Sequence, residues 1–250
     1  MGVTFDFSGK NFVVTGATSG IGKQAALELV DSGANILAVA RNVERLDALK
    51  NISPQKIFTA SLDVTCATAK DWANVLESFK NVYGKIDGGI YCAGIAGFTP
   101  LKSFDTELAR KIFDTSFWGM VNFLQVATKK KFANEKSSFV VMSSIAANYG
   151  SKGLFAYSAS KAAVEASVKV FAKEIIGNGH RLNSVAPAAV KTAMLENNFI
   201  DDEFISKQIL GVASPADVTG MILFLLSPRA DLITGQNFFV DGGYIIGAYV

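Results

Sequence analysis

Tyr157 and Lys161 lie four residues apart in the stretch Phe155–Lys161, at the start of a predicted helix. Residues at positions i and i+4 of a helix share one face, so the phenol and the ammonium group are expected to meet. A free tyrosine titrates near pH ~10, and a nearby positive charge favours its phenolate. The pair is therefore a candidate for proton transfer near neutral pH, and a solvated pair on a helix surface is the alternative interpretation.

Ser144 ends the run S-S-F-V-V-M-S-S, which fits a buried strand and its exit. A hydroxyl group at that place could hydrogen-bond the carbonyl oxygen that Tyr157 would protonate. We therefore take Ser144, Tyr157 and Lys161 as the candidate catalytic residues.

A glycine-rich stretch, Gly16–Gly22, stands between a predicted strand and a predicted helix. Glycines at such a turn let the backbone approach a pyrophosphate, and the helix N-terminus supplies free N–H groups and positive potential. The spacing is G-x-x-x-G-x-G rather than the common G-x-G-x-x-G. The loop predicts a phosphate-binding turn of a dinucleotide site, and a mere tight turn is the alternative. Its expected contacts are Gly16, Thr18, Ser19, Gly20, Ile21 and Gly22.

The end of the second predicted strand bears on the choice of nucleotide. An acidic residue there would hydrogen-bond a ribose 2′-hydroxyl, but this chain has Arg41 and Asn42. An arginine suits a 2′-phosphate. The sequence therefore favours NADP(H) over NAD(H), and the alternative is that Arg41 is simply a surface arginine.

Alternating strands and helices surround these candidates. The predicted strands are Phe12–Thr15, Asn35–Ala40, Lys56–Ser61, Ile86–Cys92, Ser138–Ser143, Arg181–Val185 and Asn237–Val240. The predicted helices are Ile21–Asp31, Val43–Lys50, Ala67–Tyr83, Thr106–Phe132, one that carries Tyr157 to about Ile176, and Pro215–Leu226. This alternation indicates an α/β fold, namely a single-domain Rossmann-type doubly wound parallel sheet of about seven strands with helices on both faces. The domain is expected to span residues 1–250.

In a sheet of this kind, ligands bind at the carboxyl ends of the strands. Each candidate group follows a predicted strand: the glycine-rich stretch, Arg41, Asp63 with Val64, Ala93 with Gly94, Ser144, and Pro187–Thr192. This shared edge favours a single site over separate coincidences.

Composition excludes several classes of function. Half of the residues are hydrophobic and 18% are charged, which suits a globular domain with a large core. The formal net charge of +2 is too small to favour nucleic acid or an acidic membrane surface. Cys66 and Cys92 have no metal-ligand spacing, and no run reaches the roughly 18 apolar residues of a membrane helix. We expect a cytoplasmic protein that binds no metal ion.

Together these motifs resemble the short-chain dehydrogenase/reductase family, over essentially the whole chain from Ser8 to Tyr244. The motifs that carry the resemblance are T-G-A-T-S-G-I-G at Thr15–Gly22, D-V at Asp63-Val64, A-G at Ala93-Gly94, S-S at Ser143-Ser144, Y-S-A-S-K at Tyr157–Lys161, R-L-N-S-V-A-P at Arg181–Pro187 and V-D-G-G at Val240–Gly243. The resemblance implies an NADP-preferring reductase of the carbonyl or 3-oxoacyl type, which transfers hydride between the nicotinamide and a carbonyl or secondary alcohol. A sugar, polyol or steroid reductase is equally compatible with the motifs. It also implies a homotetramer or homodimer.

The resemblance assigns roles to single residues. Tyr157 would be the general acid or base, Lys161 would lower its pKa and hold the nicotinamide ribose, and Ser144 would position the substrate oxygen. It puts the adenine near Asp63 and the carboxamide near Val190 and Thr192. Further cofactor contacts that it implies are Val64, Ala93, Gly94, Pro187 and Ala188.

The chain departs from the family pattern at three places. Tyr91-Cys92 stand where two asparagines are usual, and Ala188 replaces a glycine. Ser116 stands where an asparagine usually helps to hold a water in a proton relay behind the lysine. Because serine is shorter, it would either bond a water itself or weaken the relay. Ser116 is thus a fourth candidate catalytic residue.

The substrate is less well defined by the sequence. An apolar lining is expected from Ile95, Phe98, Ala146–Tyr149, Leu154-Phe155 and a substrate loop at about residues 188–213 that includes Met194–Phe204. This lining favours an apolar or acyl-like carbonyl compound, unless the aromatic side chains pack on each other or on another subunit. The apolar tail Tyr244–Val250 would suit burial against such a subunit.

Two other functions remain open. One is a nucleotide-binding module without catalytic activity, which Ser116 and Cys92 motivate. The other is an epimerase or dehydratase that works through the same bound cofactor.

Overall fold

The computed structural model describes residues 4–196 and 202–247. In this part of the chain, seven strands form one parallel sheet with the order β3-β2-β1-β4-β5-β6-β7. The strands are β1 Asn11–Thr15, β2 Asn35–Ala40, β3 Ile57–Ser61, β4 Ile86–Tyr91, β5 Ala133–Met142, β6 Arg181–Pro187 and β7 Asn237–Val240. The predicted fold class is confirmed, because the sheet is parallel and helices cover both of its faces.

The helices alternate with the strands along the chain. They are α1 Gly20–Asp31, α2 Val43–Lys50, α3 Ala69–Tyr83, α4 Thr106–Phe113, α5 Gly119–Ala127, α6 Phe155–Ile175, α7 Ala193–Glu196, α8 Asp202–Ser206, α9 Pro215–Leu226 and α10 Tyr244–Gly247. One face of the sheet packs against α1 and α9, and the other packs against α3, α5 and α6.

The core follows from the apolar strands. Val13 and Val14 are neighbours in β1, are both fully buried, and belong to the two separate core clusters on opposite sides of the sheet. Successive side chains of a strand point to opposite faces, so a strand covered on both faces is apolar throughout. The helices begin at local signals, as α9 does with the capping box of Ser214 and Asp217.

The predicted long helix Thr106–Phe132 is wrong in two respects. A π-helical turn, Asp114–Trp118, separates α4 from α5, and α5 already ends at Ala127. Strand β5 begins at Ala133, five residues before the predicted start at Ser138.

Packing against β4 accounts for the π turn. The Tyr91 hydroxyl donates a 2.7 Å hydrogen bond to the carbonyl of Thr115 inside the turn. A β-carbon on Gly119 would lie 2.9 Å from the Val64 carbonyl oxygen, so only glycine allows this approach. These are tertiary contacts, and helical periodicity in the sequence carries no sign of them.

Part of two expectations lies outside the described residues, namely residues 197–201 of the substrate loop and residues 248–250 of the tail. Among residues 4–196 and 202–247, no helix is long and apolar enough to cross a membrane. The same residues contain no group of three His, Cys, Asp or Glu side chains that could hold a metal ion.

Candidate functional site

A cleft of about 640 Å³ opens at the carboxyl ends of the strands. It lies where the strand order reverses, because β1 pairs with β2 on one side and with β4 on the other. The predicted site residues that line it are Gly16, Thr18, Ser19, Gly20, Ile21, Gly22, Arg41, Asn42, Asp63, Val64, Ala93, Gly94, Ser144, Tyr157, Lys161, Pro187, Ala188, Val190 and Thr192. Ser116 is the one predicted site residue that is not part of this lining.

The glycine-rich turn between β1 and α1 is shaped for a close backbone approach. Gly16 has a φ of 65°, and a β-carbon there would lie 3.1 Å from the Ala93 nitrogen. Gly22 cannot carry a side chain either, because its β-carbon would meet the Gly16 carbonyl. The first turn of α1 lines the cleft with Gly20, Ile21 and Gly22, and its N-cap, Ser19, makes no capping hydrogen bond through its side chain. Such a turn fits a pyrophosphate.

Two opposite charges meet at the end of the cleft beside β2 and β3. The Arg41 guanidinium lies 4.0 Å from the Asp63 carboxylate, and both side chains are partly exposed. Partial burial raises the pKa of Asp63, but hydrogen bonds from Thr65 and the charges of Arg41 and Lys111 lower it on balance. Arg41 therefore lines the end of the cleft that follows β2, with one carboxylate partner already present.

Thr15, the last residue of β1, connects the ends of β1 and β4 at the base of the cleft. Its hydroxyl oxygen accepts hydrogen bonds from the backbone N–H groups of Cys92 and Ala93, at 3.0 and 3.1 Å. Burial raises the pKa of the Cys92 thiol to about 12, so the thiol stays protonated. The unusual Cys92 is therefore a small apolar part of the floor.

Lys161 is 96% buried beneath the cleft, since only 4% of its surface is exposed. Its ammonium group donates a 2.9 Å hydrogen bond to the Met142 carbonyl at the end of β5. Burial lowers the pKa of Lys161 to about 8. A lysine in this state changes its charge within the range where enzymes work.

The Tyr157 phenol differs in one respect from the expectation. Burial raises its pKa, and a hydrogen bond with the Ser144 hydroxyl opposes that rise only in part. The Lys161 nitrogen lies 5.6 Å from the centre of the Tyr157 ring and is engaged with Met142. The pKa of Tyr157 is therefore raised, and Lys161 is not among the groups that lower it, contrary to the expectation from the sequence.

Ser144 lies between the strand end and the phenol. It caps the 3-10 turn Ile145–Ala147 by accepting a 3.2 Å hydrogen bond from the Ala146 nitrogen. Its hydroxyl also lies 3.5 Å from the Pro187 carbonyl at the end of β6. The serine, the tyrosine and the lysine are therefore brought together, as their positions in the sequence predicted.

Ser116 lies behind the cleft inside the π turn. It is 1% exposed, and its hydroxyl has no hydrogen-bond partner among the described residues. A β-carbon on Gly94 would lie 3.5 Å from the Lys161 nitrogen and 3.7 Å from the Ser116 oxygen, so both polar atoms flank this glycine. The structure thus puts Ser116 near Lys161 but buried below the surface of the cleft.

The far wall of the cleft follows β6. Pro187, Ala188, Val190 and Thr192 line it together with Met194 of α7. A β-carbon on Gly20 would lie 3.2 Å from the Thr192 methyl group, so this wall closes against the start of α1.

The predicted substrate lining is only partly assembled around the cleft. Ile95 and Met194 line it. Phe104 packs edge-on against Phe155, and Tyr149 packs edge-on against Tyr244. Several of the aromatic side chains thus pack on each other, which was the alternative interpretation.

Some residues of the site were not predicted. Thr15, Arg45, Thr115 and the Met142 carbonyl all contact or line the cleft region. Thr15 and Met142 end strands, and a rule that considers the last residue of each strand, as well as the residues after it, would have found both.

A comparison with protein families matches residues 16–245 to the family model described as Enoyl-(Acyl carrier protein) reductase. A 3-oxoacyl-acyl-carrier-protein reductase FabG of Thermotoga maritima is 33% identical over 244 residues, covering 95% of this chain and 98% of the relative. An NAD-dependent glycerol dehydrogenase of Listeria innocua is 29% identical over 246 residues, covering 97% of this chain and 96% of the relative.

Solved structures agree with these relatives. A short-chain dehydrogenase/reductase from Brucella melitensis, described as a glucose/ribitol dehydrogenase, superposes with a TM-score of 0.88 at 27% identity. The match covers 97% of this chain and 99% of the other. The fold, the cleft and the relatives agree: the chain belongs to the short-chain dehydrogenase/reductase family and is an oxidoreductase of the class that uses a nicotinamide cofactor.

Proposed function

We propose that this protein transfers hydride between NADP(H) and a carbonyl or secondary alcohol, with Tyr157 as the general acid or base. The observation that carries the proposal is that Ser144, Tyr157 and Lys161 lie in one cleft with the glycine-rich turn between β1 and α1. When bound, the nicotinamide would supply or accept the hydride.

Each residue would have a separate task in the reduction of a carbonyl. Ser144 would donate a hydrogen bond to the carbonyl oxygen, and Tyr157 would give that oxygen its proton. Because burial raises the pKa of Tyr157, the phenol is protonated at neutral pH, as a donor must be. Lys161 would hold the ribose hydroxyls, and the first turn of α1 would hold the pyrophosphate.

The Tyr157→Phe variant tests this assignment. The change removes only the hydroxyl group, so we expect kcat to fall by at least about 100-fold with any good substrate, the scale of general acid–base catalysis. Tyr83→Phe is the matched control, because the Tyr83 hydroxyl donates to Gln55 far from the cleft. An NADPH-oxidation screen of aldehydes, ketones, 3-oxoacyl thioesters and keto-sugars would supply the substrate. Near wild-type turnover of Tyr157→Phe would show that the proton comes from elsewhere.

The preference for NADP(H) rests on Arg41. Arg41 stands at the end of β2 with no acidic residue beside it in the sequence, and a guanidinium suits a 2′-phosphate. Its present partner Asp63 is 4.0 Å away and partly exposed, so it leaves the guanidinium free to bind a second anion. Relatives do not decide the matter, since one of them is named as NAD-dependent.

Cofactor titrations test the preference. We expect the wild type to bind NADPH at least about tenfold more tightly than NADH, because a charge-assisted pair is worth about 1.5–3 kcal/mol. Arg41→Asp should remove or reverse this preference, and Arg229→Asp, an exposed arginine outside the cleft, should not. Equal binding of both cofactors by the wild type would refute the role of Arg41.

A nucleotide-binding module without turnover is the second candidate. The unpartnered Ser116 hydroxyl, where an asparagine was expected, is the observation that favours it. Tight NADPH binding with no oxidation across the whole screen would support this function. The substrate loop at residues 188–213, the homo-oligomeric state and the cytoplasmic location stay predictions.

A further inference from the structure

Glu165 is the centre of a hydrogen-bond network beside the cleft. One of its carboxylate oxygens, Oε1, accepts a 2.7 Å bond from the Ser143 hydroxyl and a 2.8 Å bond from the Asn237 amide. The other, Oε2, accepts a 2.8 Å bond from the Asn148 amide. The carboxylate thus receives three short hydrogen bonds from three different segments of the chain.

The network joins the elements that carry the candidate catalytic residues. Glu165 lies on α6, one turn after Lys161, and Ser143 directly precedes Ser144. The Ser143 hydroxyl also lies 3.4 Å from the Lys161 carbonyl, so α6 and the end of β5 are connected twice. The distance between Ser144 and Tyr157 depends on these two elements.

The two other donors extend the network to the loop that follows Ser144 and to β7. Asn148 ends the 3-10 turn after Ser144 and precedes Tyr149, whose ring packs edge-on against Tyr244. Asn237 lies on β7 and accepts a 2.9 Å hydrogen bond from Ser184 of β6. A single side chain on α6 therefore holds β5, β7 and the loop that follows Ser144.

Charge pairing does not explain this carboxylate. None of the salt bridges formed by the described residues includes Glu165. All three partners are neutral donors, and a carboxylate is the side-chain group that can accept from all of them at once. Its role must be geometric, because nothing else in the network calls for a negative charge.

We propose that Glu165 is a positioning residue that sets Ser144 and residues 145–154 in register with Tyr157 on α6. The inference rests on the proposed hydride transfer for its kinetic consequences, although the geometry it describes does not. Misplacing a reacting group by about 1 Å can cost up to about 100-fold in rate. The network thus fixes an active-site distance through a residue that does not line the cleft.

The test compares Glu165→Leu with Glu174→Leu, an exposed glutamate later on the same helix. We expect Glu165→Leu to lower kcat at least about tenfold while the Kd for NADPH stays within about twofold of the wild type. Hydrogen exchange of the peptide spanning residues 143–154 should become faster in Glu165→Leu and stay unchanged in Glu174→Leu. Glu165→Gln, which keeps one accepting oxygen, should recover part of both losses.

Single-partner variants keep the proposal testable if Glu165→Leu does not fold. Ser143→Ala should lower kcat several-fold, because it loosens Ser144, whereas Asn148→Ala should raise KM at nearly constant kcat, because it loosens the loop. Unchanged exchange and unchanged kinetics in these variants would overturn the proposal. If the wild type turns over no substrate, the proposed function fails, but the exchange experiment still decides whether Glu165 orders residues 143–154.

Discussion

Lys161 shows how burial alters the chemistry of one residue. Its pKa is lowered to about 8 because the ammonium group is removed from water, and the pKa of Tyr157 is raised for the same reason. As the pH rises, Lys161 therefore loses its proton before Tyr157 does, and the phenol stays protonated through the neutral range. If Lys161 takes part in catalysis as proposed, we expect the activity to be sensitive to mildly alkaline pH.

The first prediction concerns the pH dependence of carbonyl reduction. Below pH about 8, Lys161 is charged in the folded protein and can hold the ribose; above it, the charge is lost. We expect kcat/KM for reduction to be level from about pH 6 to 7.5 and to fall as the pH rises through about 8. Initial rates between pH 6 and 10 would measure this. An arginine keeps its charge in this range, so Lys161→Arg should move the decline upward, and a decline that stays in place would belong to another group.

A substitution of Ser116 is expected to affect stability and turnover differently. Its hydroxyl is buried without a partner among the residues that the structure describes, so it contributes no hydrogen bond to the fold. Ser116→Ala should therefore leave the melting temperature unchanged or raise it slightly. If the hydroxyl serves Lys161 across Gly94, the same variant should lower kcat several-fold. A drop in melting temperature with unchanged kcat would contradict both expectations.

At the scale of elements, the alternation of strands and helices could be predicted because the central strands, such as β1 and β2, are apolar on both faces. Successive residues such as Val13 and Val14 are buried on opposite sides, and that pattern is directly visible in the sequence. The π turn could not be predicted from the sequence, because it depends on the tertiary contacts of Tyr91 and Gly119. Local periodicity predicts an element, and tertiary contacts decide where it bends or ends.

The site residues also fall into those that the sequence predicts and those that depend on tertiary contacts. Residues that follow strands were found, because parallel strands bring their carboxyl ends to one edge. Glu165 could not be predicted from the sequence. Its partners Ser143, Asn148 and Asn237 are far apart in the chain and come together only in the folded structure. The lowered pKa of Lys161 was missed for a related reason, since burial depends on the whole surrounding fold.

Tyr91 provides the prediction at this scale. It stands where the family usually has an asparagine, and its buried hydroxyl satisfies the Thr115 carbonyl in the π turn. Tyr91→Phe would leave that carbonyl without its partner at a buried site, which costs about 1–3 kcal/mol. Urea unfolding should show this loss. Tyr83→Phe, which removes an exposed hydroxyl bonded to Gln55, should cost less than about 1 kcal/mol, and equal losses would show that Tyr91 does not support the turn.

At the scale of the whole molecule, apolar side chains are exposed beside one edge of the sheet. Strand β7 forms one edge of the sheet. Beside it, Ile209, Leu210 and Ile246 expose between 59% and 88% of their surface, and the Leu210 nitrogen bonds the Gly242 carbonyl next to β7. An exposed strand edge flanked by apolar side chains is a surface that soluble proteins normally cover.

The last prediction is that a second copy of the chain covers this edge. Two like edges can meet about a twofold axis, which is the commonest symmetry of homo-oligomers. In sedimentation experiments the wild type should then run as a species larger than the 26.6 kDa monomer. Adding a charge at each of two positions, with Leu210→Lys and Ile246→Lys, should shift the protein toward the monomer at micromolar concentration. The control is Ile52→Lys, an exposed apolar residue just before β3 at the opposite edge, which should leave the assembly unchanged. A wild type that sediments as a monomer would show that the β7 edge is covered by something other than a second copy.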